Sequence, residues 1–280
     1  MILRLTILEL KKIAARPRSY IGFIAIGIIA VLIQFAMYSD GENYIRFITQ
    51  SVEQSFLFEG KIMNGHLICF IILQMLIIQV PLLVALVTGD MLSGEAALGT
   101  LRFLLTRPVS RTSIVLSKFL AGSFYTVLLL VWLGLLSLGL GLLVFGPGDL
   151  IVLKTDQLII LQSSDVFWRF MAALAMAFLA LTLIGSLSMM LSCFSDNSIG
   201  PIMSTMAIII LFTVIGTLEV PLFDLIKPYL FTTHMSAWRS FFEDPLPVAA
   251  IRNSILFMLF NIVVFLGVTL WYFNRKDIQS

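Results

Sequence analysis

Long apolar runs separated by short polar connections dominate the chain. A bilayer core of about 30 Å needs roughly 20 apolar residues of helix, and six runs are long enough. They cover residues 20–37, 67–89, 114–145, 166–191, 199–218 and 251–273. The pattern predicts an all-α polytopic membrane protein with six transmembrane helices, built as a single transmembrane domain over residues 1–280.

Composition strengthens this prediction. Hydrophobic residues make up 59% of the chain and charged residues 12%, and the mean hydropathy is +1.03. Soluble domains carry about 25% charged residues, so a soluble globular protein is excluded. Cys69 and Cys193 fall near opposite membrane faces, which argues against a disulfide. His66 and His234 are far apart in sequence, and we interpret each as a surface residue rather than a metal or substrate ligand.

The distribution of charge predicts the orientation. Six spans put both termini on one side of the membrane, and that side carries 11 of the 18 basic residues but only five of the 16 acidic ones. By the positive-inside rule both termini are cytoplasmic, in a multi-pass protein of the cell (inner, cytoplasmic) membrane.

Residues 220–250 are then external. Their mixture of aromatic residues, proline and charge suits short helices at the headgroup level or a shallow re-entrant segment, with a plain loop as the alternative.

The pattern of apolar and charged positions in residues 1–17 predicts an amphipathic helix that lies in the membrane interface. Pro17 ends the helix, because a residue before proline avoids helical geometry. The apolar residues of one face are Leu3, Ile7, Leu10 and Ala14. Leu5 and Leu8 project among the charges, which favours a protein contact in addition to anchoring on anionic lipid. The residues assigned to this surface are Leu5, Leu8, Lys11, Lys12 and Arg16.

The cytoplasmic connection at residues 90–113 is longer than a turn requires, whereas residues 192–198 connect two spans with a short loop. Leucines recur at helical spacing over residues 94–106, so we predict an amphipathic helix there, ended by Pro108. Ser110 follows as a cap for the third span. A membrane protein that keeps such a segment in water presents it to a soluble partner.

Catalytic and nucleotide-binding motifs are missing from the sequence. It contains no Gly-x-x-x-x-Gly-Lys-Ser/Thr phosphate loop, so the chain has no ATP site of its own. No ionisable residue lies at mid-depth in a span, which speaks against a membrane enzyme and against a proton- or sodium-coupled carrier. We therefore expect no enzyme activity and no bound cofactor or metal.

Neutral polar residues inside the spans predict hydrogen bonds between helices and a mostly apolar pathway, suited to an amphiphile. These residues are Gln34, Gln74, Gln79, Thr126, Thr182, Ser186, Ser188, Thr205, Thr213, Thr217 and Asn261. Small residues four apart predict close helix crossings, within the subunit or between subunits, at two places, Ser137 with Gly141 and Ala173 with Ala177.

The connection between the second and third spans resembles the cytoplasmic loop of ABC-2-type transporter permeases, the membrane subunits of ATP-binding-cassette exporters. The likeness rests on Glu95, Gly99-Thr100-Leu101, Leu104-Leu105 and Arg107-Pro108-Val109-Ser110-Arg111. The basic amphipathic helix before the first span and the six spans agree with the family. The family pattern often carries further acidic residues after the glutamate, where this chain has Ala96 and Ala97.

The resemblance implies that the loop forms a cytoplasmic coupling helix that docks on a separate ATPase subunit. The implied docking residues are Glu95, Leu98, Gly99, Thr100, Leu101, Arg102, Leu104, Leu105, Arg107, Pro108 and Arg111. ATP and Mg would bind to two copies of that ATPase, and a second permease subunit would complete a homodimer or heterodimer. No nucleic-acid partner is expected. The expected function is ATP-driven export; the alternative is an ATP-independent polytopic channel or a membrane scaffold.

Overall fold

A computed structural model describes residues 1–49, 63–76, 79–100, 109–153 and 158–275. The first helices are α1 (Ile2–Ala15), α2 (Arg18–Thr49), α3 (Gly65–Leu76), α4 (Gln79–Thr88), α5 (Ser93–Ala97), α6 (Arg111–Gly134) and α7 (Leu140–Phe145). A π-helical turn at Leu135–Gly139 joins α6 to α7.

The second half begins with a small antiparallel hairpin, in which β1 (Leu150–Leu153) pairs with β2 (Leu158–Leu161) and Leu150 lies opposite Leu161. The remaining helices are α8 (Ser163–Phe194), α9 (Ile199–Thr217), α10 (Pro221–Asp224), α11 (Phe231–Met235) and α12 (Val248–Arg275). Two 3₁₀ helices, Lys227–Tyr229 and Ser236–Phe242, lie beside α11. The fold is therefore mainly helical, and the hairpin is an addition to the all-α prediction.

Five helices within the described ranges are long and apolar enough to cross a membrane. They cover Arg18–Gly41, Arg111–Phe145, Ser163–Phe194, Ile199–Thr217 and Val248–Arg275. The predicted second span is instead a bent pair, because α3 and α4 meet at 54°, and counting that pair as one span gives six. Pro81 lies in the first turn of α4, where its missing N–H breaks no helical hydrogen bond.

Helix α8 lies at the centre of the bundle. In the apolar 18-residue stretch of α8 that could cross a membrane, 61% is buried inside the protein. In the corresponding stretch of α9 only 17% is buried. The main hydrophobic core forms along α8, against α4, α9, α12 and the 3₁₀ helix Ser236–Phe242. The outer faces of α2, α9 and α12 remain apolar and exposed, as expected for helices surrounded by lipid.

One of the two predicted close crossings is confirmed. Helix α3 crosses α7 and the π-helical turn at Gly65 and Cys69. An added Cβ on Gly65 would lie 2.6 Å from the carbonyl carbon of Gly141, and Cys69 Sγ lies 3.5 Å from Ser137 Oγ. The other pair, Ala173 and Ala177, lines a cavity instead.

Residues 220–250 form short helices, so the plain-loop alternative is wrong. Their second half is packed into the bundle, with Phe231, Trp238 and Phe242 buried. Their first half exposes apolar side chains, including those of Leu222 and Leu225. We call this end of the bundle, together with the β-hairpin, the hairpin end.

The opposite end carries α1, α5, the start of α6 and the last turn of α12, and we call it the ionic end. Arg111 Nη1 donates hydrogen bonds to the carbonyls of Phe273 (3.1 Å) and Asn274 (3.2 Å), which joins the start of α6 to the end of α12. Ser110 Oγ accepts a hydrogen bond from Ser113 N and caps α6, as predicted.

Candidate functional site

Helix α1 turns its charged face toward the protein. Glu9 is buried, whereas Leu3 and Ile7 on the predicted apolar face are exposed. The apolar face is therefore free to meet lipid, and the polar face packs on α6. The sheltered charges at this contact are the basis of the site.

Four side chains from three elements form a closed ring of alternating charge. Lys12 Nζ lies 2.7 Å from Glu9 Oε1 and 2.7 Å from Glu95 Oε1. Lys118 Nζ, on α6, lies 2.9 Å from the other oxygen of each carboxylate. Lys118 is only 1% exposed. A buried charge is tolerated only when it is paired, so each member of this ring depends on the others.

A second group of charges lies beside the ring, around Asp90. Arg18 Nη1 lies 2.8 Å from Asp90 Oδ1, and Arg16 Nη1 donates to Asp90 Oδ2. Gly94 makes room for this carboxylate, because an added Cβ would lie 2.4 Å from Asp90 Oδ1. We call these residues the ion-pair cluster: Glu9, Lys12, Arg16, Arg18, Asp90, Glu95 and Lys118.

Two members of the ring, Glu95 and Lys12, have shifted pKa values. Burial by itself would raise the pKa of Glu95, but the charge of Lys118 and hydrogen bonds from Lys12 and Lys118 hold it below its ordinary value. Burial would likewise lower the pKa of Lys12, yet its hydrogen bonds to Glu9 and Glu95 raise it above the ordinary value. Both groups are therefore charged at neutral pH, and the ring is stable there.

The helix predicted over residues 94–106 is wrong as a continuous element, because α5 ends at Ala97. Gly99 has φ +67°, a backbone conformation that favours glycine. Gly99 N donates to Ala96 O and Thr100 N donates to Glu95 O, each at 3.0 Å. This pair of bonds is the Schellman motif that ends helices at glycine. The chain after Ala97 therefore leaves the α5 axis.

A groove of about 490 Å³ separates α1 from the end of this connection and the start of α6. Leu5, Leu8 and Lys11 line it on the α1 side, and Thr100 and Val109 line it on the other. Lys12 and Glu9 also line it, which brings the ion-pair cluster next to the groove. The leucines predicted to contact a protein thus share one surface with part of the predicted docking loop.

Other predicted docking residues occupy different positions. Leu98 is 72% exposed but does not line the groove. Glu95 points into the ion-pair cluster, and Arg111 binds the end of α12. Lys12 and Arg16 are also engaged in ion pairs. The remaining predicted residues, Leu101, Arg102, Leu104, Leu105, Arg107 and Pro108, lie outside the described ranges.

Sequence reasoning missed the inward role of three residues, Glu9, Asp90 and Lys118. Two signals were readable. The basic side of the protein carries few acids, and Glu9, Asp90 and Glu95 are three of them. Lys118 lies seven residues inside the helix that begins at Arg111. A lysine within an apolar helix calls for a buried partner.

The histidines are not the surface residues that we predicted. His66 is 4% exposed; its Nδ1 lies 2.7 Å from the carbonyl oxygen of Gly148, and its ring stacks on Phe170. His234 is half-buried between Ser254 Oγ and the carbonyl oxygen of Pro228. In the part of the chain that the structure describes, no three His, Cys, Asp or Glu residues are grouped to hold a metal ion.

The neutral polar residues of the spans mostly bond to their own helices. Gln34 Nε2 donates to Leu136 O (2.6 Å) and Ser188 Oγ to Ala85 O (3.2 Å), so these two link helices as predicted. Thr126, Ser186, Thr205, Thr213, Thr217 and Asn261 instead donate to carbonyls of their own helix. Interhelical bonding was therefore the wrong prediction for those six.

Residues 27–279 match the model of a family described as "Protein of unknown function (DUF2705)". The matched region includes Asp90, Glu95 and Lys118 and begins after α1. No curated protein matches the chain.

Proposed function

We propose that this chain, which belongs to the DUF2705 family, is the transmembrane permease subunit of an ABC-2-type ATP-binding-cassette exporter. In this proposal it crosses the cell (cytoplasmic) membrane six times, with α3 and α4 as one bent span, and the ionic end faces the cytoplasm. A separate ATPase, in two copies, binds ATP and Mg. The sequence itself contains no phosphate loop.

The observation that supports this proposal best is that the ion-pair cluster connects an exposed apolar surface to the spans. Leu8 is exposed at the groove and Leu98, two residues before the groove residue Thr100, is also exposed, so a soluble partner can bury both. In the ion-pair cluster, which adjoins the groove through Glu9 and Lys12, Glu95 of α5 is paired with Lys118 of α6 at 2.9 Å. A partner that binds this surface therefore pushes on α6 through a buried ion pair rather than through a flexible chain.

A second connection runs from α5 to the central helix α8. Ser192 Oγ accepts hydrogen bonds from Leu92 N (3.2 Å), just before α5, and from Ser93 N (2.8 Å), the first residue of α5. Ser192 Oγ also lies 3.0 Å from Ser93 Oγ. Movement of α5 is thus transmitted to two spans at once, which is the property that a coupling element requires.

The bent α3–α4 pair supports a second permease subunit. Gln74 and Gln79 lie on either side of the bend with exposed side chains. Amides at mid-span are costly in lipid, and they commonly face another helix or a pathway. We propose that these glutamines face a second permease subunit, identical or related, and line part of the path between the two subunits.

Copurification tests the proposal. A tagged chain is extracted in mild detergent from its native cells, and copurified proteins are identified by mass spectrometry. We expect an ATPase with a Walker phosphate loop in the wild-type complex. Leu98→Asp and Leu8→Asp should lose most of it, because each puts a charge on the surface that the ATPase buries.

The matched control is Asn197→Asp, which adds a carboxylate to the other loop of the ionic end. Asn197 Oδ1 accepts a hydrogen bond from Ile199 N, a bond that aspartate can also make. This variant should keep the ATPase. If the wild-type chain copurifies without such an ATPase, an ATP-independent channel or scaffold is the better description. If the ATPase stays bound to both leucine variants, the docking surface is elsewhere.

A further inference from the structure

An apolar cavity of about 60 Å³ lies inside the bundle, away from the ionic end. Its walls come from the α3–α4 bend, from α6, from α8 and from the segment that contains Trp238. Every described residue that lines it is apolar. No function considered above uses this cavity.

Small side chains on α8 create the space. Ala173, Ala177 and Ala180 recur at helical spacing, so they share one face of α8, and all three line the cavity. Another wall of the cavity is formed by residues on the two sides of the 54° bend between α3 and α4, namely Leu73, Leu76, Val80 and Pro81. The small residues that predicted a close crossing therefore leave a recess.

The chemistry of the walls restricts the occupant. A bound water needs two to four polar partners, and the lining side chains offer none apart from the Trp238 indole N–H. If the cavity were empty, the atoms that line it would lack the dispersion contacts that packed atoms make. A hydrocarbon occupant makes these contacts and needs no polar partner.

The position of the cavity gives hydrocarbon a route in. Leu73, Leu174 and Ala177 line the cavity and are themselves half-buried, so the recess reaches the surface between α3 and α8. Beside it on α8, Met171 is exposed on the apolar outer surface. In a membrane that surface is covered by lipid tails.

We propose that this cavity binds the end of one acyl chain of a membrane phospholipid. The chain enters past Ala177 and ends against Trp238, which is 5% exposed. The site lies within this one chain and does not depend on an ATPase partner. The lipid site can therefore be disproved while the proposed function stands, and the proposed function can be disproved while the lipid site stands.

Brominated phosphatidylcholine tests the site, because bromine quenches tryptophan fluorescence on contact. Trp132, Trp168 and Trp271 are exposed and are replaced by phenylalanine, which leaves Trp238 as the only indole. The full chain is then reconstituted in vesicles whose lipids carry bromine at successive acyl positions. We expect quenching of the buried Trp238 that is strongest at one range of depths.

Two substitutions on α8 separate the cavity from the general lipid surface. Ala177→Leu fills the cavity and should lose most of the quenching. Ala175→Leu, two residues away on the exposed face, adds the same atoms outside and should keep it. Ala180→Leu is a second filling variant, and thermal unfolding in micelles confirms that each variant folds.

Absence of quenching in the parent protein would overturn the proposal. So would quenching that persists in a folded Ala177→Leu or Ala180→Leu variant, since the lipid would then reach Trp238 by another route.

Discussion

The two ends of the bundle are joined by the same long helices but are held together in different ways. At the ionic end, Glu9 and Lys118 are paired across 109 positions of the chain, and a ring of charges joins α1, α5 and α6. At the hairpin end, the ring centroids of Phe170 and Phe242 lie 4.9 Å apart, and Phe70 and Trp238 pack around them.

Among the described residues of the hairpin end, Arg169 is a buried charge, and it holds backbone carbonyls in place. Its Nε lies 2.7 Å from Asp165 Oδ2, and its Nη1 donates to the carbonyls of Phe241 and Glu243 at 2.9 Å each. The 3₁₀ helix Ser236–Phe242 is thereby held against α8. The ionic end instead uses charge to join separate helices beside an open groove.

This difference indicates which end is suited to move. Aromatic packing depends on shape and permits one close arrangement. Ion pairs on long lysine side chains keep α1, α5 and α6 connected while these helices move together, because the side chains adjust by rotating about several bonds. We therefore expect the ionic end to transmit motion and the hairpin end to resist it.

Removing Lys118 should cause the largest change. Lys118→Met leaves the Glu9 and Glu95 carboxylates buried with one cation between them, so the free energy of unfolding should fall by about 3–5 kcal/mol. Chemical unfolding in micelles measures it. The exposed Lys11→Met variant is the control and should change it by under about 0.5 kcal/mol. A similar small change for Lys118→Met would contradict a stabilising role for the ring.

A substitution at the hairpin end should have a smaller effect with a different origin. In Gly65→Ala the new Cβ would lie 2.6 Å from the Gly141 carbonyl carbon, a backbone atom that cannot rotate away. Overpacking of this kind costs about 1–3 kcal/mol. Gly139→Ala is the control, because a Cβ there has no atom within 4 Å. Equal stability of the two variants would mean that the α3–α7 crossing is not tight.

Acid should produce the smallest change, acting at the ionic end through Glu95. The pKa of Glu95 is lower in the folded chain than its ordinary value, because Lys118 and Lys12 outweigh burial. A carboxyl group whose pKa is lowered by folding stabilises the fold at pH values above its pKa in the unfolded chain. That contribution is lost as the pH falls through its pKa in the folded chain. The melting temperature should therefore decline as the pH passes below about 4.3.

Two glutamine variants sharpen this test. Glu95→Gln should show a shallower decline in melting temperature with acid than the wild-type chain. Glu219→Gln, at an exposed position near the hairpin end, should decline as the wild type does. Identical curves for all three proteins would assign the acid sensitivity to other groups.

Much of the helical framework could be predicted, because crossing a bilayer imposes a length and a composition that are visible locally. The predicted run 166–191 lies inside the helix Ser163–Phe194, and 251–273 lies inside Val248–Arg275. Pro17 and Ser110 marked helix ends because proline and serine act on their own backbone neighbours. Gly99 also indicated a helix end, because glycine commonly follows the last residue of a helix. The leucine periodicity over residues 94–106 was given more weight, and the predicted helix was too long.

The candidate site could be predicted only in part. Leu5 and Leu8 were assigned to a contact because they lie among charges, and the structure places both at the groove. The pairing of Glu9 with Lys118 had no local signal, because neither neighbourhood indicates which distant residue it meets. The inward turn of α1 follows from that pairing and was missed with it.

The sequence by itself determined the membrane class, most helix boundaries and the absence of a phosphate loop, since hydrophobic length and motifs are properties of neighbouring residues. The tertiary structure decided which charges meet, where the second span bends and that the alanines of α8 line a recess. These depend on how distant helices pack, because an ion pair, a crossing or a cavity exists only between surfaces that the chain brings together.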